Sequence, residues 1–572
     1  MSKIIYVCYR NEFPVNEKKN ISRICNEINA DNINANPSSI FKDGNICYGL
    51  SNPVSTIKHN GRNILLGKLF NESDSWQEVE TDYPDGNYLI CRSNGIKIEL
   101  VTDLVGTRTV WYYKDEEKFI AATSQRAIIK FLKDFQFDEG VISWMISSGS
   151  LGPLNSWDKR IKRLAPGSIT LDLKKWELNK RKNEVHFSYK KISDAEHQAN
   201  LKDALEKSFE NLNVDFRKWT LSLSGGHDCR GILALMDKAK PAQDKIETVT
   251  WGLRKAEQEK KSDAYVAREV SNYFKTSHKY YETDTKEEEA IDSVFTRFLL
   301  NGEGRIDHIS GYMDGFEIWK VLFENDIEGV IRGNQVFGQK TPHSAFAVRS
   351  FIGIPLCKDF DNLQKFNYIQ NLEQKLPEQL DRQEGESLST WRDRLLQEYR
   401  LPVIQAALSD LKFPYVEQFD PLLSREIIEE VKTLPDHLRD GKCLYQEIVK
   451  QLNPGLGYAS RSATKDKKEI VAQADFVKII KQELSTQHAL TIFPEDFLND
   501  VNSKLKDENQ TQTLSIASFK RLISSILPLK MKKKIYKKVI NPSLNNNILA
   551  FRLAIICRMT RIFNEDTSES SL

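Results

Sequence analysis

The period of hydrophobic and polar positions changes along the chain and divides it into three parts. Up to about residue 180, short apolar runs alternate with turn residues. Residues 4–8, 63–66, 88–90, 97–101 and 109–113 are such runs, and Pro84-Asp85-Gly86-Asn87 is one of the turns between them. Runs at this spacing predict antiparallel strands in a sandwich or layered α+β domain. Residues 180–193 are polar and basic, without a period, and read as a linker. A helical spacing then appears, with Leu201, Ala204, Leu205, Ser208 and Phe209 on one face. Strands are expected at 220–223, 248–252, 279–281 and 329–333, with helices at 231–236, 263–273, 290–300 and 316–323 between them. That alternation predicts a parallel sheet with its ligand site at the carboxyl ends of the strands. Beyond about 400 the pattern is mainly helical. The expected domains are therefore 1–180, 197–465 and a basic helical extension, 466–572.

Composition narrows the class. A chain of 572 residues has room for two to four domains. Lys plus Arg number 82 against 80 for Asp plus Glu, so no global charge points to nucleic acid. The eight cysteines form no C-x-x-C pair, which fits a reducing cytosol without a zinc site or disulfide framework. The first residues read as a strand, because their apolar run is too short for a signal peptide. The nearest approach to a membrane span, 548–563, is interrupted by Arg552, Arg558 and Arg561. A soluble, cytoplasmic protein without a transmembrane segment is expected.

The most informative segment is Thr220-Leu221-Ser222-Leu223-Ser224-Gly225-Gly226-His227-Asp228-Cys229. A strand that enters two glycines and leaves as a helix is how a chain builds a phosphate cradle. Glycine lets backbone approach an anion, and the helix start offers free N–H groups. Ser224 adds a hydroxyl donor, and Asp228 adds a carboxylate that can hold Mg²⁺ beside a polyphosphate. Two glycines alone favour an ordinary strand–turn–helix, and only with Ser224 before them and Asp228 after them do the two readings draw level.

These residues and others in order resemble the asparagine synthetase superfamily. Ser224-Gly225-Gly226-His227-Asp228-Cys229 is similar to its S-G-G-x-D-S pyrophosphate loop, and Val249-Thr250-Trp251-Gly252 to the strand beside the adenine. Ser262-Asp263-Ala264-Tyr265-Val266-Ala267 resembles D-E-x-x-A, and Ser277-His278 resembles T-x-H. Gln418-Phe419-Asp420-Pro421-Leu422-Leu423, Leu434-Pro435 and Gly441-Lys442-Cys443-Leu444-Tyr445 resemble the late block P-F-L-D, L-P and K-x-L-L-R. In the first domain, Asp85-Gly86-Asn87-Tyr88, the run from Thr102 to Tyr113 and the run from Trp157 to Gly167 resemble the family's glutaminase domain.

The resemblance implies an N-terminal fold of the Ntn-hydrolase type and an α/β ATP-pyrophosphatase domain. It implies ATP and Mg²⁺ as cofactors. A small-molecule, peptide or sugar carboxylate would be adenylated with release of pyrophosphate, and ammonia or an amine would then displace AMP. Ser224, Gly225, Gly226 and Asp228 would hold pyrophosphate, with Asp228 on the metal. Leu223, Trp251 and Gly252 would flank the nucleoside, Gly333 would lie close to it, and Cys229 stands for the usual serine. A pathway protein and a second copy of the chain are left open as partners.

Three departures accompany the resemblance. The glutaminase nucleophile, a Cys after Met1, is Ser2 here, its N-G-E is Leu66-Gly67-Lys68, and the stretch between Phe70 and Pro84 is short. Loss of glutaminase activity is expected, with the domain kept as a scaffold. The family's G-x-D-E-x-F-G-G reads Gly333-Asn334-Gln335-Val336-Phe337-Gly338-Gln339 after Arg332, replacing two carboxylates by amides. Its late lysine is missing from Arg461-Ser462-Ala463, which leaves Lys442 and Lys465, with Arg332, as the candidate catalytic cations. His227 and the basic run 530–538 could each meet an anion, but a variable loop position and a solvated helix face are the preferred readings; 567–572 reads as a disordered tail. A ligase, a nucleotide-binding pseudoenzyme and, third, an active glutamine-dependent asparagine synthetase are the readings that remain.

Overall fold

The computed structural model describes residues 3–71, 74–239, 245–284, 289–453, 455–508 and 542–568. Seventeen strands lie among them. β1 (Ile4–Tyr9), β2 (Ser39–Asp43), β3 (Ile46–Leu50), β4 (Lys58–Asn60), β5 (Asn63–Leu69), β6 (Gly86–Ser93), β7 (Lys97–Thr102), β8 (Trp111–Lys114), β9 (Lys118–Ala122), β10 (Lys162–Arg163), β11 (Gly167–Asp172) and β12 (Glu177–Lys182) form two antiparallel sheets. Their orders are β10-β8-β9-β1-β3-β2 and β12-β11-β7-β6-β5-β4.

Alternation along the strands explains the layering. Ile4, Tyr6 and Cys8 of β1 point one way and meet Ile64, Leu66, Leu89 and Leu100 of the other sheet. Ile5 and Val7 point the other way, into a core shared with Ile21 and Ile24 of the helix Glu17–Glu27 and Ile128 of the helix Gln125–Leu132. A sheet apolar on both faces must be covered on both. The expected antiparallel N-terminal region is present.

β12 runs to Lys182, three residues into the segment read as a linker. The rest of that segment is held against a later helix, because the Ser188 and Lys190 N–H groups donate to the Lys432 and Thr433 carbonyls. The helix Asp194–Glu210 then begins at Ser193 with a reciprocal capping box to Glu196.

β13 (Trp219–Ser222), β14 (Glu247–Gly252), β15 (His278–Glu282), β16 (Gly329–Ile331) and β17 (Glu417–Phe419) form the five-stranded parallel sheet, ordered β15-β14-β13-β16-β17. β14 and β15 extend it to one side of β13, and β16 and β17 to the other. Strand order therefore reverses between β13 and β16, which opens a crevice at their carboxyl ends.

The last helix is Asn546–Ser568. It packs into the protein, with Leu549, Phe551, Leu553, Ile556 and Phe563 fully buried. The arginines that interrupt its apolar run have partners distant in sequence. Arg552 Nε donates to Asp307 at 2.6 Å, and Arg558 and Arg561 both reach Glu483. Asp566, near its end, pairs with Arg126 and Lys130 of the N-terminal region. Among the described residues no helix is long and apolar enough to cross a membrane. Ser2, the basic run 530–538 and residues 569–572 lie outside the described residues, whereas Thr567 and Ser568 belong to this helix.

Candidate active site

The loop after β13 sits at the reversal of strand order. Leu223 leaves the strand with its N–H on the Val249 carbonyl at 2.8 Å, and Thr250 Oγ1 donates to the Leu223 carbonyl at 2.5 Å. The helix His227–Ala239 starts immediately after Gly226. A Cβ on Gly225 would lie 2.3 Å from Ala459 Cβ, so only glycine admits the segment that packs there. At Gly226, by contrast, a Cβ would meet only Ser224 Oγ, at 3.5 Å, and its N–H donates to the same oxygen at 3.3 Å. One glycine closes the back of the loop, and the other leaves its front free for a ligand.

That front opens on a cavity of about 320 Å³, a size within the range of about 300–1,000 Å³ typical of ligand clefts. Leu223, Ser224, Gly226, Asp228 and Cys229 form one wall, and Thr250 and Trp251 a second. Arg332, Gly333 and Asn334, which follow β16, form a third. The fourth is Ser462, Ala463 and Thr464, pinned by backbone bonds from Ala459 N to Gly225 O, Asp263 N to Arg461 O and Leu253 N to Ala463 O. Asp263, the first residue of a helix capped by Ser262, also lines it. One of several larger clefts, of about 540 Å³ around Phe187 and Arg439, lies elsewhere, and its arginines are already paired with Glu386 and Asp436.

Charge is distributed unevenly over these walls. Lys442 Nζ donates to Asp228 Oδ2 at 2.6 Å, while Asp228 Oδ1 is buried without a partner. Burial raises the Asp263 carboxyl, partly offset by the Gly225 N–H directed at it. Gly333 lets the Arg332 segment pass close to the loop, since a Cβ there would lie 3.1 Å from both Asp228 Cβ and Cys229 Sγ. The Arg332 guanidinium sits 5.5 Å from the Trp251 ring, with its Nη1 buried and unpartnered. Behind it, burial and the Arg332 charge hold Lys412 well below its ordinary value. Burial pushes the Cys229 thiol up to about 11, which leaves it a neutral donor at pH 7.

The two amides that replace carboxylates are committed to the protein. Asn334 Oδ1 accepts from Gln405 Nε2 at 2.7 Å, and Gln335 Oε1 accepts from the Phe337 N–H at 2.6 Å. Gln405 ends a π-helical stretch, Leu396–Gln405, that contains Pro402. Among the described residues no group of three His, Cys, Asp or Glu is placed to hold a metal. The donor set fits Mg²⁺ only as an ion carried mainly by phosphate, through the free Asp228 oxygen.

Of the residues singled out in the sequence, Leu223, Ser224, Gly226, Asp228, Cys229, Trp251, Arg332 and Gly333 line the cavity. Gly225 and Gly252 stand behind it, against Ala459 and Ala463. Lys442 reaches it through Asp228, and Lys465 follows the Ser462–Thr464 wall without lining it. Asp263, Thr250, Ser462 and Thr464 are additional lining residues. Thr250, Asp263 and Ser462 fall in segments quoted above for the family resemblance, without having been singled out as site residues, and Thr464 lies outside them. His227 turns away and stacks on Tyr458, with ring centroids 3.8 Å apart. Burial and the nearby Arg230 lower it to about 4, so it is neutral at pH 7.

The N-terminal residues that resemble a glutaminase face the synthetase-like half. Asp85 accepts from the Arg425 N–H at 2.9 Å, and Asn87 Oδ1 accepts from the Asp420 N–H at 2.8 Å. Lys68 lies 5.8 Å from the Trp219 ring of β13. These side chains join the two halves.

Residues 200–300 match the asparagine synthase family. No curated protein is detectably similar to the chain in sequence. Among solved structures, the glutamine phosphoribosylpyrophosphate amidotransferase from B. subtilis, complexed with ADP and GMP, is 7% identical with a TM-score of 0.21, covering 50% of this chain and 82% of its own. A likeness of that size carries neither fold nor chemistry. The matched residues 200–300 contain the β13 loop, its helix, β14 and Asp263, so the part of the chain similar to the asparagine synthase family is the part that builds the loop side of the cavity.

Proposed function

We propose that the chain is an ATP-dependent ligase of the asparagine synthetase type that forms an amide and does not hydrolyse glutamine. The supporting observation is the open face of Gly226 and Ser224 at the start of a thirteen-residue helix, on a cavity also bounded by Asp228, Trp251 and Arg332. Backbone N–H groups and the helix dipole favour anionic oxygens there.

In the reaction, a carboxylate oxygen attacks the α-phosphorus of ATP and pyrophosphate leaves. An amine nitrogen then attacks the acyl carbon, AMP leaves and the amine loses a proton. Mg²⁺ on the polyphosphate would supply charge neutralisation, with Asp228 Oδ1 as its protein ligand. Ser224 and the loop N–H groups would hold the departing pyrophosphate, and Lys442 would fix the Asp228 carboxylate. Arg332 is placed to bind negative charge bidentately, as its planar fork allows. Trp251 and Leu223 would flank the nucleoside. The test is pyrophosphate release, or ATP–pyrophosphate exchange, across a panel of acids.

A second reading is favoured by the committed amides of Asn334 and Gln335: a nucleotide-binding protein that no longer adenylates. Tight ATP binding with no exchange for any acid would support it. For the N-terminal half we infer a scaffold, because Asp85, Asn87 and Lys68 are engaged with the other half. Absence of glutamate release from glutamine is the expected result.

A further inference from the structure

A small cleft lies where the two halves meet the segment that joins them. It encloses about 60 Å³ and is lined by Arg163 of the first half, Lys182 of the joining segment, and Gln397, Glu398 and Tyr399 of the second half. Its donors are poorly matched. Arg163 Nη1 donates to the Pro402 carbonyl at 3.5 Å and Nη2 to the Pro153 carbonyl at 3.3 Å, both longer than an ordinary N–H···O bond. Among the described residues no carboxylate pairs with this guanidinium, and the charge that acts on it most is that of Arg305. Loss of water, followed by that repulsion, lowers Arg163 to about 10, so it remains charged at pH 7. Gln397 is 3% exposed, and its Nε2 has no acceptor. Glu398, the acid that lines the cleft, is taken by Arg394 at 3.0 Å. Lys182 is exposed and, among the described residues, has no ion pair. Arg163 and the Gln397 amide both donate, so the group that satisfies them must accept, and the uncompensated charge calls for an anion. Each water needs about 10–15 Å³ of such a cavity, which gives room for roughly four to six waters or one tetrahedral oxyanion, and none for a nucleotide.

We propose that this cleft binds a small inorganic oxyanion, phosphate or sulfate, held by Arg163 and Gln397 with Lys182 at its edge. A guanidinium suits such a ligand because its planar fork presents parallel N–H donors to two oxygens. The site is separate from the cavity at β13 and does not rest on the nucleotide reading. The two are joined through one element. Gln397, Tyr399 and Pro402 belong to the π-helical stretch Leu396–Gln405, and Gln405 at its end donates to Asn334 Oδ1 in the other cavity at 2.7 Å. Such stretches are rare and occur frequently at functional sites. An anion bound at Arg163 braces the start of the stretch whose end positions Asn334.

The test is calorimetric titration of the full-length protein with sodium phosphate and with sodium sulfate, at an ionic strength held constant with sodium chloride. Arg332→Gln is titrated in parallel, because the cavity at β13 also offers donors to an anion. Both oxyanions are expected to bind wild type and Arg332→Gln alike. Arg163→Gln is expected to weaken them by about tenfold or more, the scale for losing a charge-assisted pair. Arg163→Lys, which keeps the charge but not the fork, is expected to fall between the two. Lys182→Ala, at an exposed position where the fold is not at stake, is expected to weaken binding by about two- to threefold. Thermal melting without phosphate shows which variants retain the fold, and Lys182→Ala carries the test if Arg163→Gln does not. Binding that is lost in Arg332→Gln and unchanged in Arg163→Gln or Lys182→Ala would place the anion in the other cavity and overturn the proposal. Absence of binding by wild type at tens of millimolar of either oxyanion would overturn it as well.

Discussion

Lys442 and Asp228 form an ion pair, Nζ to Oδ2 2.6 Å, between the residue before the helix Cys443–Leu452 and the first turn of the helix His227–Ala239. Lys442 itself has a left-handed backbone, φ 60°, and follows Gly441 at φ 69°. Two consecutive left-handed residues turn the chain sharply enough to bring the ammonium to the loop. Replacing Lys442 by Met is expected to lower kcat/KM by roughly 10²–10³-fold, the scale for losing one group that stabilises developing negative charge. Steady-state kinetics of pyrophosphate release on the variant would check this.

Gly225→Ala tests the closed back of the loop. The added methyl would meet Ala459 Cβ at 2.3 Å and Val266 Cβ at 3.0 Å, so the wall formed by residues 459–464 must shift. Overpacking of this kind costs about 1–3 kcal/mol. A lower melting temperature together with loss of ATP binding is expected. Gly226→Ala, which meets only Ser224 Oγ at 3.5 Å, is expected to leave the melt unchanged.

His278 and His227 make stability depend on pH in a definite direction. Burial, with Arg268 nearby, lowers His278 to about 4, and burial with Arg230 lowers His227 to the same value. Both fall below the unfolded value of about 6.5. The unfolded chain therefore binds more protons between those values, so stability is fully present above about pH 6.5 and declines as pH falls towards 4. His278→Gln, which keeps a partner for Thr248 Oγ1, is expected to flatten the melting temperature against pH across that window. An unchanged slope would count against the assignment.

Arg108 and Glu417 join the two halves through a buried ion pair, 2.5 Å long, with the guanidinium also 3.9 Å from the Phe413 ring. Removing one partner of a buried pair strands the other charge, which typically costs about 3–5 kcal/mol. Arg108→Met is expected to destabilise the protein by about that amount, read as a lower denaturation midpoint with an unchanged slope.

Much of the loop wall of the cavity was legible in the sequence because its signals are local. A strand, Ser224, two glycines and Asp228 occupy nine consecutive residues, and their geometry follows from backbone rules. The positions of Arg332, Asn334 and Lys442 could be inferred only through resemblance, since they arrive from strands and turns more than 100 residues away. Ser462 and Thr464 line the cavity because backbone bonds pin the segment 459–464 against Gly225 and Leu253, and Thr250 because β14 lies beside the loop, its Oγ1 on the Leu223 carbonyl; none of these placements is a local signal. The helix Asn546–Ser568 was obscured for the opposite reason. Arg552, Arg558 and Arg561 break its apolar run, and their neutralising partners, Asp307 and Glu483, are remote in sequence. The two antiparallel sheets were visible from alternation, but their strand orders were not, because period two sets the buried face and not the neighbour.

The most direct measurement of the adenylation proposal is ATP–pyrophosphate exchange, with radiolabelled pyrophosphate, across a broad panel of carboxylic acids, for wild type and Asp228→Ala. Exchange with at least one acid in wild type, reduced roughly 10²–10³-fold or more in Asp228→Ala, is the expected result. Exchange undiminished in Asp228→Ala, or no exchange with any acid while ATP remains bound, would contradict it.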